Sequence, residues 1–469
     1  MGSRLAFFGV IWAYCALVWL YALNTPPWEV PDEPAHFNYV RLIVEQAALP
    51  VLQAGDYDQV YLESIKARKF PAEMSIAPIR YESHQPPLYY LLAVPFYEFD
   101  RDAALNTQLL GLRLYSALWG VVLLALLYRI AALLLPRGGG LPLLATALAA
   151  FIPQHLAMLS GVNNDVLAEV VLAAVVLALL RIVADPGQSP ERARKEWWYA
   201  GLLFGAALLT KTTAYVSAGL IVVAFFLLWR RGRALRAELR HAAPGLTVGL
   251  LLGAAWFARD ALVYGPTDWL GLARHDAVVV GQPHTLDLYP NYLAAAADYV
   301  PIMFHSFWGQ FGWMGVPLDG RVYTILLTLT IFALIGLVPF FAEMRNSVTK
   351  APPAPSAGAA TTATYAYQAD GLLLTGAWLL FTSGATVAYS LDFFQAQGRY
   401  LFPALGAIAV FLAAGLGQWL RVAVAWGGRL RVPALWARRV LLSALIGGMI
   451  LFDIYCLFRV LVPGLTPHG

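Results

Sequence analysis

The chain is poor in charge and nearly empty of cysteine. Of its 469 residues only 13% are charged and 59% are hydrophobic, whereas a soluble chain of this size carries about a quarter charged residues. That deficit excludes a soluble enzyme. The apolar residues fall in long runs rather than alternating, so the solvent of this fold is a bilayer. Cys15 and Cys456 both lie inside apolar runs, which excludes a disulfide framework and a thiolate metal site. The net charge is only +4 and no basic patch is interleaved with aromatics, which excludes nucleic acid as a partner. A glycine-rich phosphate cradle is missing, and so is the internal repeat on which many transporters are built.

What is present reads as an all-α polytopic membrane protein. Eleven spans are expected, at 5–23, 108–135, 142–160, 165–184, 197–210, 213–230, 244–262, 323–342, 371–391, 400–420 and 438–461, each close to the length that crosses a ~30 Å hydrocarbon core. The first lacks an A-x-A-like cleavage site and reads as a retained anchor. Basic residues concentrate in "PRGGG", "RIVADPGQSPERARKEW", "RRGRALRAELRH", "EMRNSVTK" and "RVAVAWGGRLRVPALWARR", whereas the loop 24–104 holds twelve Asp/Glu against six Lys/Arg. This bias predicts a cytoplasmic N-terminus and two large outer loops, 24–104 and 263–322, carrying short helices. The expected organisation is a module over 1–342, a flexible cytoplasmic linker at 343–370 containing "APPAPSAGAATTAT", and a three-span part at 371–469.

Six polar clusters fall on the predicted outer side: "PDEPAH" from Pro31, "YESHQPPLYYLL" from Tyr81, "SGVNNDVLAE" from Ser160, "LLTKTTAY" from Leu208, "HSFWGQFGWMGVPLD" from His305 and "DFFQAQGRYLFP" from Asp392. Each has an ordinary reading. Asp32 suits a helix N-cap with Glu33 and Pro34 in the first turn. His84 suits a loop, Tyr89 and Tyr90 a membrane-interface belt, Asn163 to Asp165 a turn and cap, and Lys211 a snorkelling cation. Glu169 lies one turn beyond Asp165 inside a span, where an ionisable group faces a cavity or a partner. Arg399 opens a span on the side where the charge bias disfavours arginine, and a guanidinium can bind phosphate bidentately. Carboxylates, a few cations and many aromatics gathered on one face suit group transfer from a lipid phosphate better than they suit a conducting pore.

In their order, "VPDEPAHF", "HQPPLYYLL", "VNNDVL", "SFWGQFGW" and "QGRYLFP" resemble the GT-C superfamily of integral membrane glycosyltransferases, in particular its DUF2142 branch, and are similar to motifs of the aminoarabinose and protein O-mannosyl transferases. The resemblance implies a GT-C fold and a plasma (inner) membrane enzyme, its active site extracytoplasmic, that moves a monosaccharide from a polyprenyl-phosphate donor to an envelope glycan or lipid-linked acceptor with inversion. It implies Asp32 as general base, with Glu33 holding the acceptor or exchanging roles with it. Arg399, Lys211, His84 and Tyr400 would hold the donor phosphate. His36, Gln85, Tyr89, Asn164, Asp165, Trp308 and Gln310 are the candidate substrate contacts. No cofactor is certain; a divalent metal ion on Asp32, Glu33 and His84 stays open. Only "PGLTPHG" follows the last expected span, so acceptor recognition is expected from the two outer loops. The competing readings are a transporter or flippase of lipid-linked sugars and a protein O-glycosyltransferase.

Overall fold

The computed structural model describes residues 2–135, 140–183, 189–349, 357–429 and 433–466. The chain is helical almost throughout because apolar side chains in lipid leave the backbone no partner except itself. The first span is α1 (Gly2–Asn24), and the first large loop carries α2 (Glu33–Gln46), α3 (Gln59–Ala67) and α4 (Leu88–Phe99). Next come α5 (Leu105–Leu134), α6 (Leu141–Ala150), α7 (Pro153–Leu159), α8 (Asp165–Val183), α9 (Pro190–Leu208), α10 (Val216–Arg230) and α11 (Leu235–Tyr264). The second large loop carries α12 (Leu272–Val278), α13 (Thr285–Leu288), α14 (Tyr292–Gly309) and a hairpin of β1 (Gln310–Phe311) with β2 (Val316–Pro317). The chain closes with α15 (Gly320–Thr349), α16 (Ala357–Asp392), α17 (Leu405–Arg429), α18 (Ala434–Tyr455) and α19 (Val462–Leu465).

Among the described residues, nine helical segments are long and apolar enough to cross a membrane, or ten counting the bent pair α6–α7. The eleven expected are therefore not reached. The expected span 197–210 belongs to α9, whose first turns hold Glu191, Arg192, Arg194, Lys195 and Glu196, too many charges for its 19 residues to qualify. The expected span 142–160 is α6 and α7, which meet at 65° where Pro153 opens the second helix. Of the expected linker 343–370, residues 350–356 lie outside the described residues and the remainder belongs to α15 and α16. Parts of four basic connections (136–139, 184–188, 350–356 and 430–432) and residues 1 and 467–469 likewise lie outside them.

The centre of the bundle is α8, whose apolar window is 89% buried. Its one membrane-depth acid, Glu169, meets His155 of α7, with Oε2 and Nε2 3.0 Å apart. The partner expected for Glu169 is thus a histidine. Against α8 stands a close parallel pair, α9 and α11, joined along a seam of glycines. A Cβ on Gly201 would stand 2.1 Å from the Gly245 carbonyl carbon, and one on Gly249 2.2 Å from the Gly201 carbonyl oxygen. Small residues of this kind let helix backbones touch where lipid supplies no hydrophobic drive for association. The two large loops fold over this core and bring residues from distant spans together.

Candidate active site

The site starts where α1 ends. Pro26 and Pro27 stop the first span, and the chain turns through Trp28 and Asp32, both left-handed (φ 69° and 66°), before Pro34 enters α2. Asp32 stands at the N-cap position of α2, yet its side chain makes no capping bond. It points the other way: Oδ1 accepts from the Tyr81 hydroxyl at 2.7 Å and Oδ2 from Arg399 Nη2 at 2.7 Å. A left-handed aspartate costs about 1 kcal/mol, and here that strain aims a carboxylate instead of capping a helix. The cap expected from sequence is present in position only.

Burial opposes ionisation of Asp32. Arg399 and His36, with the hydrogen bonds from Tyr81 and Arg399, outweigh it and hold the carboxyl down at about 2. Tyr81, on the 3₁₀ turn Tyr81–His84, has its hydroxyl pushed up by burial and by Asp32, so it stays a donor. Arg399 comes from the 3₁₀ turn Gly398–Ala404 that leads into α17. Gly398 makes that turn possible: a Cβ there would sit 2.2 Å from the Phe307 backbone nitrogen of α14. Ser306 Oγ accepts the Gly398 amide at 2.8 Å, and Gln397 Oε1 accepts from Arg399 Nε at 2.7 Å. The guanidinium also lies over the Tyr400 ring, 5.3 Å from its centroid.

A second ion pair stands close by. Lys211, between α9 and α10, reaches Asp165 at the start of α8 at 2.7 Å. His36 links the two pairs: it lies one turn along α2 from Asp32, its Nδ1 is 2.8 Å from the Tyr90 hydroxyl, and the charges of Glu82, Lys211, Asp32 and Asp165 all act on it. Burial nonetheless lowers its pKa, so the imidazole is neutral at physiological pH. His84 is neutral as well. Burial, reinforced by His275 of the second loop at 4.7 Å between rings, pushes it down to about 3. Its Nδ1–H donates to the Tyr81 carbonyl at 3.0 Å, which leaves Nε2 as an acceptor 3.5 Å from Gln85 Nε2. Gln85 follows it, 3.5 Å from Asn164 of the turn before α8.

Glu33 is elsewhere. It is fully buried, paired at two points with Arg113 of α5 (Oε1–Nε 2.8 Å, Oε2–Nη2 2.7 Å), and accepts the amides of Trp28 and Val162. Arg113 also donates to the carbonyls of Ala22, Thr25 and Pro26, so the pair fastens the loop to the end of α1. Both Glu33 oxygens are thus occupied by Arg113 and by backbone amides. Tyr89 is also buried, against Ser116 and Tyr115. Trp308 packs among Phe304 and Phe307, and Gln310 ties the hairpin to Gln154 of α7. Among the described residues no three His, Cys, Asp or Glu side chains are grouped to hold a metal ion, and Asp32, Glu33 and His84 point to separate partners.

The structure therefore joins Asp32, His36, Asp165, Lys211, Arg399 and Tyr400, keeps His84, Gln85 and Asn164 beside them, and separates Glu33, Tyr89, Trp308 and Gln310. Sequence reading missed Tyr81, Arg113 and His275. Arg113 carried a signal, since it is an arginine inside a span on the acidic side, as Arg399 is.

Residues 86–257 match the family model of the dolichyl-phosphate-mannose-protein mannosyltransferases. This stretch holds Arg113, Asp165 and Lys211 but neither Asp32 nor Arg399. Solved structures extend the likeness to nearly the whole chain. ArnT from Cupriavidus metallidurans in the apo state shares 15% identity at a TM-score of 0.54, over 98% of this chain and 74% of that one. The chain has the GT-C fold. The same ArnT bound to undecaprenyl phosphate gives 0.52 over 99% of this chain. The apo oligosaccharyltransferase of Archaeoglobus fulgidus gives 0.54 at 12% identity, with this chain covering 56% of its length. Comparison with curated proteins finds no match. Within this fold the paired ions of the site lie at loop and helix starts that the packing places together, not on one element.

Proposed function

We propose that this chain is a polyprenyl-phosphate-sugar-dependent glycosyltransferase of the plasma membrane, with its N-terminus cytoplasmic and its site on the outer face. The observation that carries this reading is the Asp32–Arg399 pair with Lys211–Asp165 beside it. It is a carboxylate able to take a proton, next to two cations able to receive a phosphate. The GT-C fold and the undecaprenyl phosphate bound by ArnT support a lipid-linked donor.

Asp32 takes the proton of an acceptor hydroxyl as that oxygen forms its bond to the anomeric carbon. The bond from that carbon to the phosphate oxygen breaks on the opposite face, and its electron pair leaves with the polyprenyl phosphate. Arg399 and Lys211 balance the charge that gathers on the leaving oxygen. Both oxygens of Asp32 are engaged in this structure, so one must be freed before it can act. Arg399 is the partner to go, because an arriving phosphate offers it an alternative anion. Tyr81 stays and keeps the carboxylate aimed. Donor binding thus converts a weakly basic carboxylate into a stronger base, and donor precedes acceptor. The acceptor is a lipid-linked or envelope glycan, recognised by the two outer loops.

The test is transfer from a synthetic polyprenyl-phosphate sugar by the purified chain. Wild-type protein should turn over and Asp32→Asn should not. Full activity in a folded Asp32→Asn protein would remove Asp32 as the base, and no transfer from any polyprenyl-phosphate sugar by wild type would remove the function.

A further inference from the structure

A groove of about 720 Å³ lies at the other end of the bundle from the site, between the first turns of α9 and Pro244 of α11. The length of α9 separates it from Lys211: from Pro190 to Leu208 the helix rises about 27 Å. Its lining changes in character along the helix axis. Arg192, Arg194 and Lys195 come first, with Glu191 the single acid among them, then Trp198 and Tyr199 one turn on, then Leu202 another turn on. Positions 194, 198 and 202 stack on one face. Trp198, Tyr199 and Leu202 are exposed at 37%, 47% and 41%, and the Lys195 ammonium stands 5.9 Å from the Tyr199 ring centroid. The neighbouring α11 adds to the field. Gly245 packs on the Trp198 backbone, so exposed Arg240, five residues earlier, stands about 7.5 Å further along, level with the arginines of α9.

Cations, then aromatics, then an aliphatic wall, in a cleft between two helices, reproduce in order the headgroup, interface and acyl region of a lipid in one leaflet. We infer that this groove binds the phosphodiester headgroup of an anionic phospholipid, in the leaflet opposite the Asp32 site. The inference does not rest on the proposed glycosyl transfer. A zwitterionic headgroup would bring its own cation to the basic rim. An anionic one brings a single uncompensated phosphate to Arg194 and Lys195, and its acyl chains follow Leu202 and Pro244.

The test is native mass spectrometry of the purified, delipidated full chain titrated with phosphatidylglycerol or phosphatidylcholine of identical acyl chains. The expected result is at least fivefold tighter retention of phosphatidylglycerol, lost in Arg194→Glu/Lys195→Glu. If that variant does not fold, Arg194→Gln/Lys195→Gln should show the same direction. The same reversal at Arg438 and Arg439, basic residues in the first turns of α18, should leave retention unchanged. Equal retention of the two lipids overturns the site, and so does an equal loss from the α18 reversal, which would reduce the groove to general belt charge. Displacement of phosphatidylglycerol by an equimolar polyprenyl phosphate would overturn the phosphodiester assignment in favour of a monoester lipid.

Discussion

Arg399 and Asp32, 367 positions apart in the chain, meet at 2.7 Å at one end of the bundle. Neither position dictates the other. The first is delivered by a 3₁₀ turn pressed against α14, the second by a left-handed residue that forgoes its helix cap. Their pairing is the relationship from which most of the expected behaviour of this chain follows.

Replacing Asp32 with Asn keeps the hydrogen bond from Tyr81 but removes the proton acceptor. Turnover should fall by roughly 10²–10⁴-fold, the range typical of a lost general base, with donor affinity changed far less. Single-turnover transfer and polyprenyl-phosphate binding, measured on the same preparation, separate the two effects.

Arg399→Gln should raise the donor KM at least tenfold. It should also change the pH profile of kcat/KM for the donor, which reports free enzyme. In the wild type Arg399 holds Asp32 at about 2, so no acid limb appears above pH 4. Without that cation burial prevails and raises the carboxyl pKa, so an acid limb enters above pH 4. A profile that does not move would detach Arg399 from the base.

The Glu33–Arg113 pair is buried on both sides, at 0% and 3% exposure. Removing one partner strands the other, at a cost of about 3–5 kcal/mol. Arg113→Met should therefore reduce the folded yield and the thermal midpoint strongly, whereas the Glu33→Gln/Arg113→Met double variant should recover part of the loss. Fluorescence-detected gel filtration after heating reads both.

Glu29 lies three residues before Asp32 and is buried, with Oε1 unpaired. Burial raises its pKa to about 7; Lys69 offsets part of that rise and Glu33 adds to it. A carboxyl raised on folding is at no disadvantage below its unfolded value and loses stability as pH climbs through the folded one. The loss is at most roughly 3.5 kcal/mol, on the order of 1.4 kcal/mol per unit. Glu29→Gln should thus raise the thermal midpoint at pH 8 and leave it nearly unchanged at pH 4.5.

The seam of α9 and α11 admits no side chain. Gly201→Leu sets a Cβ 2.1 Å from the Gly245 backbone, and the helices must separate. The expected outcome is a loss of thermal stability well above that of Gly9→Leu, whose Cβ meets nothing within 4 Å, measured side by side in the same detergent.

Much of this was legible in the chain itself. Period and length of the apolar runs marked most of the spans, since a bilayer accepts little but uninterrupted apolar helix. The charge bias separated two acidic loops from the basic connections. The motifs around Asp32, Asp165, Lys211 and Arg399 stood out because an ion near a membrane needs a reason. Legibility failed where one residue type serves two purposes. Asp32 and Glu33 are neighbours of the same charge, and only their surroundings distinguish a carboxylate aimed at Arg399 from one enclosed by Arg113. Tyr89 and Trp308 read as surface or substrate aromatics, and the fold buries both. The charged start of α9 hid behind the apolar half that follows it.

The sequence by itself determined that this chain lives in a bilayer, which segments are apolar enough to cross it, and that its unusual ions collect between spans. These are local properties, set by composition and period along a few dozen residues. The tertiary structure alone decided who pairs with whom: Asp32 with Arg399 and Tyr81, Asp165 with Lys211, Glu33 with Arg113. Electrostatic energy depends on separations of a few ångströms and on burial, and neither is written along the chain until the helices have packed.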